Sequence, residues 1–195
     1  WDGTLSDSVP LVTKATNEVL RVHGYPPVDE RAIHDGMRFP TAERMLHHVG
    51  RPGEDTLLAR ARAMADEFYE AADRLGHRYV SLFPGVAEML RQLVIASIPM
   101  AVVTNNRAKT VRELIPHAGL GAALPVVIGE EDVRVAKPDP EGVVLAIAAL
   151  EARSGRPIAA ERTVFVGDSL SDAGAAIASG TIGVGAGWPP GSIVH

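Results

Sequence analysis

The sequence contains no cysteine, and this absence excludes several classes of protein. A chain without thiols has no disulfide scaffold, no Cys-ligated zinc or iron–sulfur cluster and no thiol nucleophile. The absence also fits a reducing compartment, so we expect a cytoplasmic protein. Long hydrophobic runs are lacking too, since the run 93–98 is far shorter than the ~18 apolar residues that a membrane span needs. We therefore expect no membrane partner.

Basic residues are in the minority, at 19 Lys and Arg against 24 Asp and Glu, which gives a formal net charge of −5. We therefore expect no nucleic-acid partner of the kind that a basic surface binds. Hydrophobic residues make up 46% of the 195 residues, as is typical of a globular chain, and the length suits one domain with a smaller insert. Only Lys14, Lys109 and Lys137 are lysines, which makes each a candidate for a role that needs a compact ammonium group.

The stretch 8–79 shows one helical pattern after another and no convincing strand. Its first pattern has Leu11, Ala15 and Val19 at helical spacing and ends at a glycine. The predicted helices of this part cover 10–24, 30–36, 40–50 and 55–76. We expect these helices to form one all-helical domain.

From residue 80 onward, short apolar runs alternate with helical stretches. The predicted strands cover 100–104, 125–128, 163–166 and 181–184, and the predicted helices cover 84–97, 108–118, 141–153 and 172–179. This alternation indicates βαβ units and a parallel sheet. Strands that are apolar throughout are typical of a sheet covered on both faces. The predicted fold class is α/β: a Rossmann-like, doubly wound parallel sheet formed by 1–7 and 80–195, with an inserted all-helical cap over 8–79.

Residues that can carry chemistry cluster after the predicted strands. Thr104 ends one strand, Lys137 follows the next, and Asp168 and Asp172 follow a third, while Asp2 stands at the start of the sequence. In open parallel sheets, ligands bind at the carboxyl ends of the strands. The sequence therefore predicts that these side chains share one edge of the sheet.

Each of these residues also has a structural explanation. Thr104 is suited to cap a helix, and Asp168 and Asp172 are suited to the first turn of a helix, where the dipole favours carboxylates. Lys137 in a loop is often only a solvated charge. Asp2 is followed by a glycine, a dipeptide common in turns. A functional site is favoured because all of these residues occur together, in this order along the chain and each at the same predicted edge of the sheet.

The set resembles the motifs of the haloacid dehalogenase-like hydrolase superfamily, and the resemblance covers essentially the whole chain. The family motifs are Asp-x-Asp-Gly-Thr after a strand, a strand that ends in Thr or Ser, a Lys in Lys-Pro-x-Pro form, and Gly-Asp-Ser-x-x-Asp after a strand. The sequence matches them at 1–4, at Thr104, at 137–140 and at 167–172. The helical stretch between the first two motifs is similar to the cap of phosphoglycolate phosphatases.

The resemblance implies Mg²⁺-dependent hydrolysis of a small phosphorylated metabolite through an aspartyl-phosphate. It implies that Asp2 is the general acid and base and that Lys137 pairs with the nucleophile and the phosphoryl oxygens. The resemblance further implies that Thr104 and the main-chain N–H groups of Asn105 and Asn106 bind the phosphoryl group. The resemblance also implies three metal ligands: the main-chain carbonyl of Asp2, Asp168, and Asp172, which alternatively orients Lys137.

One position departs from the family pattern, because Trp1 stands at the x of Asp-x-Asp-Gly-Thr. The resemblance then places the nucleophilic Asp, and the strand that carries it, before residue 1. A chain that truly lacked this nucleophile would be a non-catalytic binding protein, which remains the alternative from another functional class. An apolar strand ending in Asp immediately before Trp1 would favour the enzyme.

Two further alternatives lie within the same family. A 2-haloacid dehalogenase resembles the sequence in fold but usually lacks the second Asp, so Asp2 favours the phosphatase. A phosphomutase keeps that Asp and stays open, as does the choice between monomer and homodimer. In the predicted cap, Arg38 lies in a helix-breaking segment and is a candidate substrate ligand, with a solvated surface position as the other interpretation.

Overall fold

The computed structural model describes residues 1–37, 39–49 and 55–187, with the side chains of 55–58 and 77 excepted. The chain divides into two compact units. One unit is Ser8–Val80, and the other combines Trp1–Asp7 with the chain from Ser81 onward. In the described part of the chain, no helix has the length and apolar character needed to cross a membrane.

All the regular secondary structure described in the unit Ser8–Val80 is helical. Its helices are α1 (Val9–Val22), α2 (Glu30–Gly36), α3 (Thr41–Val49) and α4 (Asp55–Tyr79). Each begins or ends where local chemistry favours it: Pro10 occupies the first turn of α1, and the Asp29 carboxylate accepts a hydrogen bond from Ala32 N–H at the start of α2. The apolar stripe of α1 is buried together with Phe68 of α4 and Met45 of α3 in one core.

The second unit alternates strands and helices. Its elements are β1 (Ser6–Asp7), β2 (Ser81–Leu82), α5 (Val86–Ile95), β3 (Ala101–Val103), α6 (Ala108–His117), β4 (Val126–Ile128), α7 (Glu141–Ser154), β5 (Val164–Gly167), α8 (Leu170–Ser179) and β6 (Ile182–Gly185), with single 3₁₀ turns at Glu130–Asp132 and Ala160–Arg162. Strand β3 pairs in parallel with β4, and β5 pairs in parallel with β6. The expectation of parallel βαβ units is met in both pairs.

The sequence predicts one doubly wound parallel sheet, but the described parallel strands do not form one continuous ladder. Among the described residues, β3–β4 and β5–β6 are separate two-stranded sheets. The carboxyl ends of β3 and β5 nevertheless meet, because Lys137 Nζ contacts both Val103 O and the Asp172 carboxylate that follows β5. Side-chain contacts, rather than backbone pairing, therefore join the two pairs at the carboxyl ends of β3 and β5.

Burial differs between the two strand pairs. Val102, Val126 and Val127 are buried, as expected for strands covered on both faces. In the other pair, four apolar side chains that share one face are about half exposed: Val164, Val166, Ile182 and Val184. The described chain therefore covers both faces of β3–β4 and leaves one face of β5–β6 about half exposed.

The antiparallel pair β1–β2 was not predicted. It joins Ser6 to Leu82 and Asp7 to Ser81, where the chain leaves and re-enters the α/β unit. Strands of two residues are too short to show an alternating pattern, so the sequence gives no signal for them.

Candidate active site

The segment at the start of the chain folds back on itself and fixes the direction of Asp2. The Trp1 carbonyl accepts hydrogen bonds from the N–H groups of Thr4 (3.3 Å), Leu5 (3.0 Å) and Ser6 (3.1 Å). Gly3 has φ = 74°, a left-handed conformation that a side chain disfavours. This turn brings Thr4 to the residues that follow β5 and Asp2 to the residues that follow β3.

Asp168 lies directly against this turn. A Cβ on Gly3 would stand 2.3 Å from Asp168 Oδ2, so the close approach requires glycine. Thr4 Oγ1 donates a hydrogen bond of 2.7 Å to Asp168 Oδ1. Burial raises the pKa of Asp168 above its ordinary value, the Thr4 hydrogen bond opposes the rise, and the charge of Asp172 adds to it.

Asp172 is fixed by the first turn of α8. Its Oδ2 accepts hydrogen bonds from Asp168 N–H (3.2 Å), Ser169 N–H (3.1 Å) and Ser169 Oγ (2.6 Å). Ser169 in turn caps the helix by accepting from Asp172 N–H, which completes a capping box. Gly167 makes room for this arrangement, since a Cβ there would lie 2.2 Å from Asp172 Cβ.

Lys137 and Asp172 form a buried ion pair. Lys137 Nζ lies 2.6 Å from Asp172 Oδ1, and the two side chains are only 10% and 9% exposed. Burial alone would raise the pKa of Asp172, but the charge and hydrogen bond of Lys137, with the Ser169 hydrogen bond, lower it to about 2. Asp172 is therefore ionised at neutral pH.

Residues 104–106 follow β3 and connect the lysine to Asp2. Thr104 N–H donates to Ile128 O of β4, and Thr104 Oγ1 accepts from Asn106 N–H at 3.1 Å. Asn106 Nδ2 donates to Asp2 Oδ2 at 3.1 Å. Asn105 makes two hydrogen bonds to the main chain of Lys137. All three side chains therefore have structural partners within the site.

The structure thus brings seven of the eight predicted site residues into one connected group within the α/β unit: Asp2, Thr104, Asn105, Asn106, Lys137, Asp168 and Asp172. The eighth, Arg38, lies outside the described residues. Two polar residues that hold this group were not singled out from the sequence, Thr4 and Ser169. The capping pattern Ser-x-x-Asp at 169–172 was the available signal for Ser169.

A divalent cation needs oxygen ligands, and Asp168 offers them in a buried position. Within the described ranges, no three His, Asp or Glu side chains meet in a cluster that could hold an ion. A cation at Asp168 would therefore take further ligands from main-chain oxygens and water, as Mg²⁺ commonly does. Both carboxylate oxygens of Asp172 accept hydrogen bonds, which suits a residue that orients Lys137. The chemistry of Asp168 and its neighbours fits a hard cation.

An α/β fold with these motifs at its strand ends is typical of the haloacid dehalogenase-like hydrolases. The sequence model of that family matches residues 1–186. The chain belongs to this family. It is similar to the phosphoglycolate phosphatase of Yersinia pseudotuberculosis, with 32% identity over 182 residues, which are 92% of this chain and 75% of the relative. It is 35% identical to the phosphoglycolate phosphatase of Rhodobacter capsulatus over 175 residues, 88% of this chain and 74% of that one.

Solved structures agree with this assignment. A putative haloacid dehalogenase-like hydrolase from Bacteroides fragilis has a TM-score of 0.82 at 27% identity, over 94% of this chain and 83% of that one. A putative phosphoglycolate phosphatase from Lactobacillus plantarum, at 21% identity, shares the fold with a TM-score of 0.76 over 93% of this chain and 81% of its own. The predicted family and the α/β class with an inserted helical region are confirmed.

Proposed function

We propose that the protein is a metal-dependent phosphatase that hydrolyses a small phosphomonoester through an aspartyl-phosphate, with phosphoglycolate as the first substrate to test. The observation that carries the proposal is the buried pair of Lys137 and Asp172 next to Asp168. Attack of a carboxylate on a phosphate dianion meets a repulsion of about 4 kcal/mol per charge pair at an effective dielectric constant of ~20. A fixed ammonium group offsets that repulsion where it arises.

The residues after β3 suit a phosphoryl-binding role. Thr104 Oγ1 accepts a hydrogen bond from Asn106 N–H, which leaves its own hydroxyl hydrogen to donate to a phosphoryl oxygen. Asn106 N–H then acts on the phosphoryl group through Thr104 rather than by direct contact. The Asn105 N–H keeps the direct role that the sequence assigns to it.

Asp2 is the proposed general acid and base. It protonates the leaving alcohol in the first step and deprotonates the hydrolytic water in the second. Its contact with Asn106 Nδ2 fixes the carboxylate on the side of the site that Thr104 lines.

The family resemblance places the nucleophile on the residue before Trp1, and the surroundings of Trp1 support this. The main-chain nitrogen of Trp1 is buried within electrostatic reach of Lys137, Asp2, Asp168 and Asp172. An aspartate at that position would be joined directly to this nitrogen. In this proposal it would attack the phosphorus, displace the alcohol and so form the covalent intermediate.

The proposal assigns the metal site to Asp168 and the main-chain carbonyl of Asp2, with Asp172 acting on Lys137. Mg²⁺ bound there would neutralise phosphoryl charge as it develops. Thr4 holds the Asp168 carboxylate in place for this purpose, through its 2.7 Å hydrogen bond. The helical region predicted over 8–79 serves as the substrate-selecting cap, and the enzyme acts in the cytoplasm as a monomer or homodimer.

A phosphomutase is the second candidate, because it uses the same acid and base. A putative β-phosphoglucomutase from Thermotoga maritima shares the fold at 25% identity, with a TM-score of 0.63 over 92% of this chain and 79% of its own. Free phosphate as product indicates the phosphatase, whereas isomerised sugar phosphates without phosphate release indicate the mutase. A 2-haloacid dehalogenase would release halide and needs no acid at Asp2.

The test measures phosphate release from a panel of phosphomonoesters by the full chain, including any residues that precede Trp1. We expect turnover that requires Mg²⁺, and a sharp loss in Asp168→Asn because the substitution removes the charge that attracts the cation. Asp29→Asn is the matched control, since Asn caps a helix as well as Asp does. Full activity in excess EDTA would overturn the metal assignment, and no phosphate release from any ester would overturn the phosphatase.

A further inference from the structure

The Asn105 side chain holds the main chain of Lys137 from both sides. Asn105 Nδ2 donates to Lys137 O at 3.2 Å, and Asn105 Oδ1 accepts from Lys137 N–H at 3.1 Å. One amide thus bonds both main-chain groups of a single residue, as a facing strand residue does in an antiparallel ladder. Two bonds to one residue fix its orientation as well as its position.

The far end of the same lysine is also fixed by β3. Lys137 Nζ donates to Val103 O at 3.2 Å and to Asp172 Oδ1 at 2.6 Å. Val103 and Asn105 are separated by one residue, so the same short segment forms hydrogen bonds with both the backbone and the ammonium group of the lysine. The loop that carries Lys137 lies between a 3₁₀ turn and α7 and has no strand partner of its own in the described part of the chain.

We propose that Asn105 is a positioning residue for Lys137, and this inference rests on the proposed phosphatase function. Its amide locks the Lys137 backbone so that the ammonium group stays beside Asp172 and the reacting phosphoryl group. The family resemblance implies a phosphoryl contact for the Asn105 main-chain N–H, and the side chain of the same residue is directed to Lys137. The Asn105 side chain therefore acts on the reaction through the lysine.

The test is a double-variant cycle on the full chain, with Asn105→Ala, Lys137→Ala and both together. Single-turnover rates and urea unfolding are measured for each. Lys137→Ala should lose ~10²-fold or more in rate, the scale for a lost electrostatic group. Asn105→Ala should lose about 10²-fold in rate, as expected when a catalytic group shifts by ~1 Å, with KM less affected.

The cycle separates positioning from folding. If Asn105 acts through the lysine, adding Asn105→Ala to Lys137→Ala changes the rate by less than about twofold. Its effect on stability, however, persists in that background, because the two hydrogen bonds go to the main chain of residue 137. A purely structural role for Asn105 would multiply the two rate losses. Asn105→Gln, which keeps the amide at a different reach, replaces Asn105→Ala in the cycle if the alanine variant does not fold.

The helical unit supplies a matched control. Asn17 holds Val28 with the same pair of bonds, Nδ2 to Val28 O at 2.9 Å and Val28 N–H to Oδ1 at 2.8 Å. Asn17→Ala should lower stability without the loss of rate seen in Asn105→Ala. A normal rate in Lys137→Ala would overturn the proposed function itself. An impaired Lys137→Ala combined with a normal Asn105→Ala, or with multiplying losses, would overturn only the role of Asn105.

Discussion

At the scale of single residues, the ion pair of Lys137 and Asp172 sets the charge of the site. The motif spacing predicts both residues at strand ends. It carries no signal that Asp172 accepts four hydrogen bonds, one from Lys137, one from Asp168 and two from Ser169. The charge of Lys137, its hydrogen bond and that of the Ser169 hydroxyl hold the Asp172 pKa at about 2 in spite of burial. Because the folded pKa lies below the ordinary value of ~3.9, this pair stabilises the fold above that pH and loses its contribution as the pH falls towards 2.

Asp2 is the residue on which the phosphatase and its alternatives differ most. Asp2→Asn keeps the size of the side chain and an oxygen for Asn106 Nδ2, but cannot transfer a proton. We expect alkyl phosphates, whose leaving groups need protonation, to lose ~10²–10⁴-fold in single-turnover rate. p-Nitrophenyl phosphate should lose less in the first step, and an aspartyl-phosphate should accumulate because its hydrolysis is slowed.

The control for this comparison is Asp7→Asn in β1, which should leave both rates near those of the wild type. Equal and small losses for the two leaving groups, with no trapped intermediate, would contradict the acid and base role. Asp2 would then be a turn residue, as the Asp-Gly dipeptide alone suggests.

At the scale of elements, the predicted helix and strand positions agree with the structure to within three residues at each end. The largest differences have local causes. Helix α8 begins at Leu170 rather than at 172, because Ser169 and Asp172 cap each other and so extend its first turn. Helix α4 runs to Tyr79 although the sequence offers Gly76 as an end. Helix periodicity and capping residues are local signals, whereas the separation of β3–β4 from β5–β6 depends on contacts between distant segments.

The turn at Gly3 offers a test of how backbone shape supports the site. Gly3 and Gly24 have nearly the same positive φ, 74° and 75°, but a Cβ on Gly24 meets nothing within 4 Å whereas one on Gly3 meets Asp168. Both Gly→Ala variants should lose about 1 kcal/mol of stability from left-handed strain. Gly3→Ala should also lose about 10²-fold in rate, because it displaces the Asp168 carboxylate.

Urea unfolding and phosphate release, measured side by side, separate the two effects. Gly24→Ala should keep its rate per folded molecule. If Gly3→Ala kept its rate as well, the contact between the turn and Asp168 would have no part in the reaction.

At the scale of the whole molecule, the two compact units carry different titrating groups. In the α/β unit the shifted groups include Asp168 and Asp172, whereas in the helical unit His48 is shifted. Burial, followed by the charges of Arg44 and His47, lowers the pKa of His48 to about 4. His48 Nε2 is buried and has no hydrogen-bond partner among the described residues, so protonating it in the folded unit is unfavourable.

This shift predicts a pH dependence of stability that belongs to the helical unit. The folded pKa of His48 lies below the ordinary value of ~6.5, so the unfolded chain takes up the proton first as the pH falls. The free energy of unfolding should therefore decrease between pH ~6.5 and about 4, and this contribution should level off below that range. His48→Gln, which does not titrate, should flatten the decrease.

The distribution of aromatic residues lets each unit be followed separately. All three tyrosines, Tyr25, Tyr69 and Tyr79, lie in the helical unit, while both tryptophans, Trp1 and Trp188, lie outside its range 8–80 in the sequence. Urea unfolding at pH 7 and pH 5 should show the acid effect, and its loss in His48→Gln, in the tyrosine emission rather than in the tryptophan emission. The same slope in wild type and His48→Gln would show that another group in the helical unit binds the proton, and the buried His48 would then contribute packing alone.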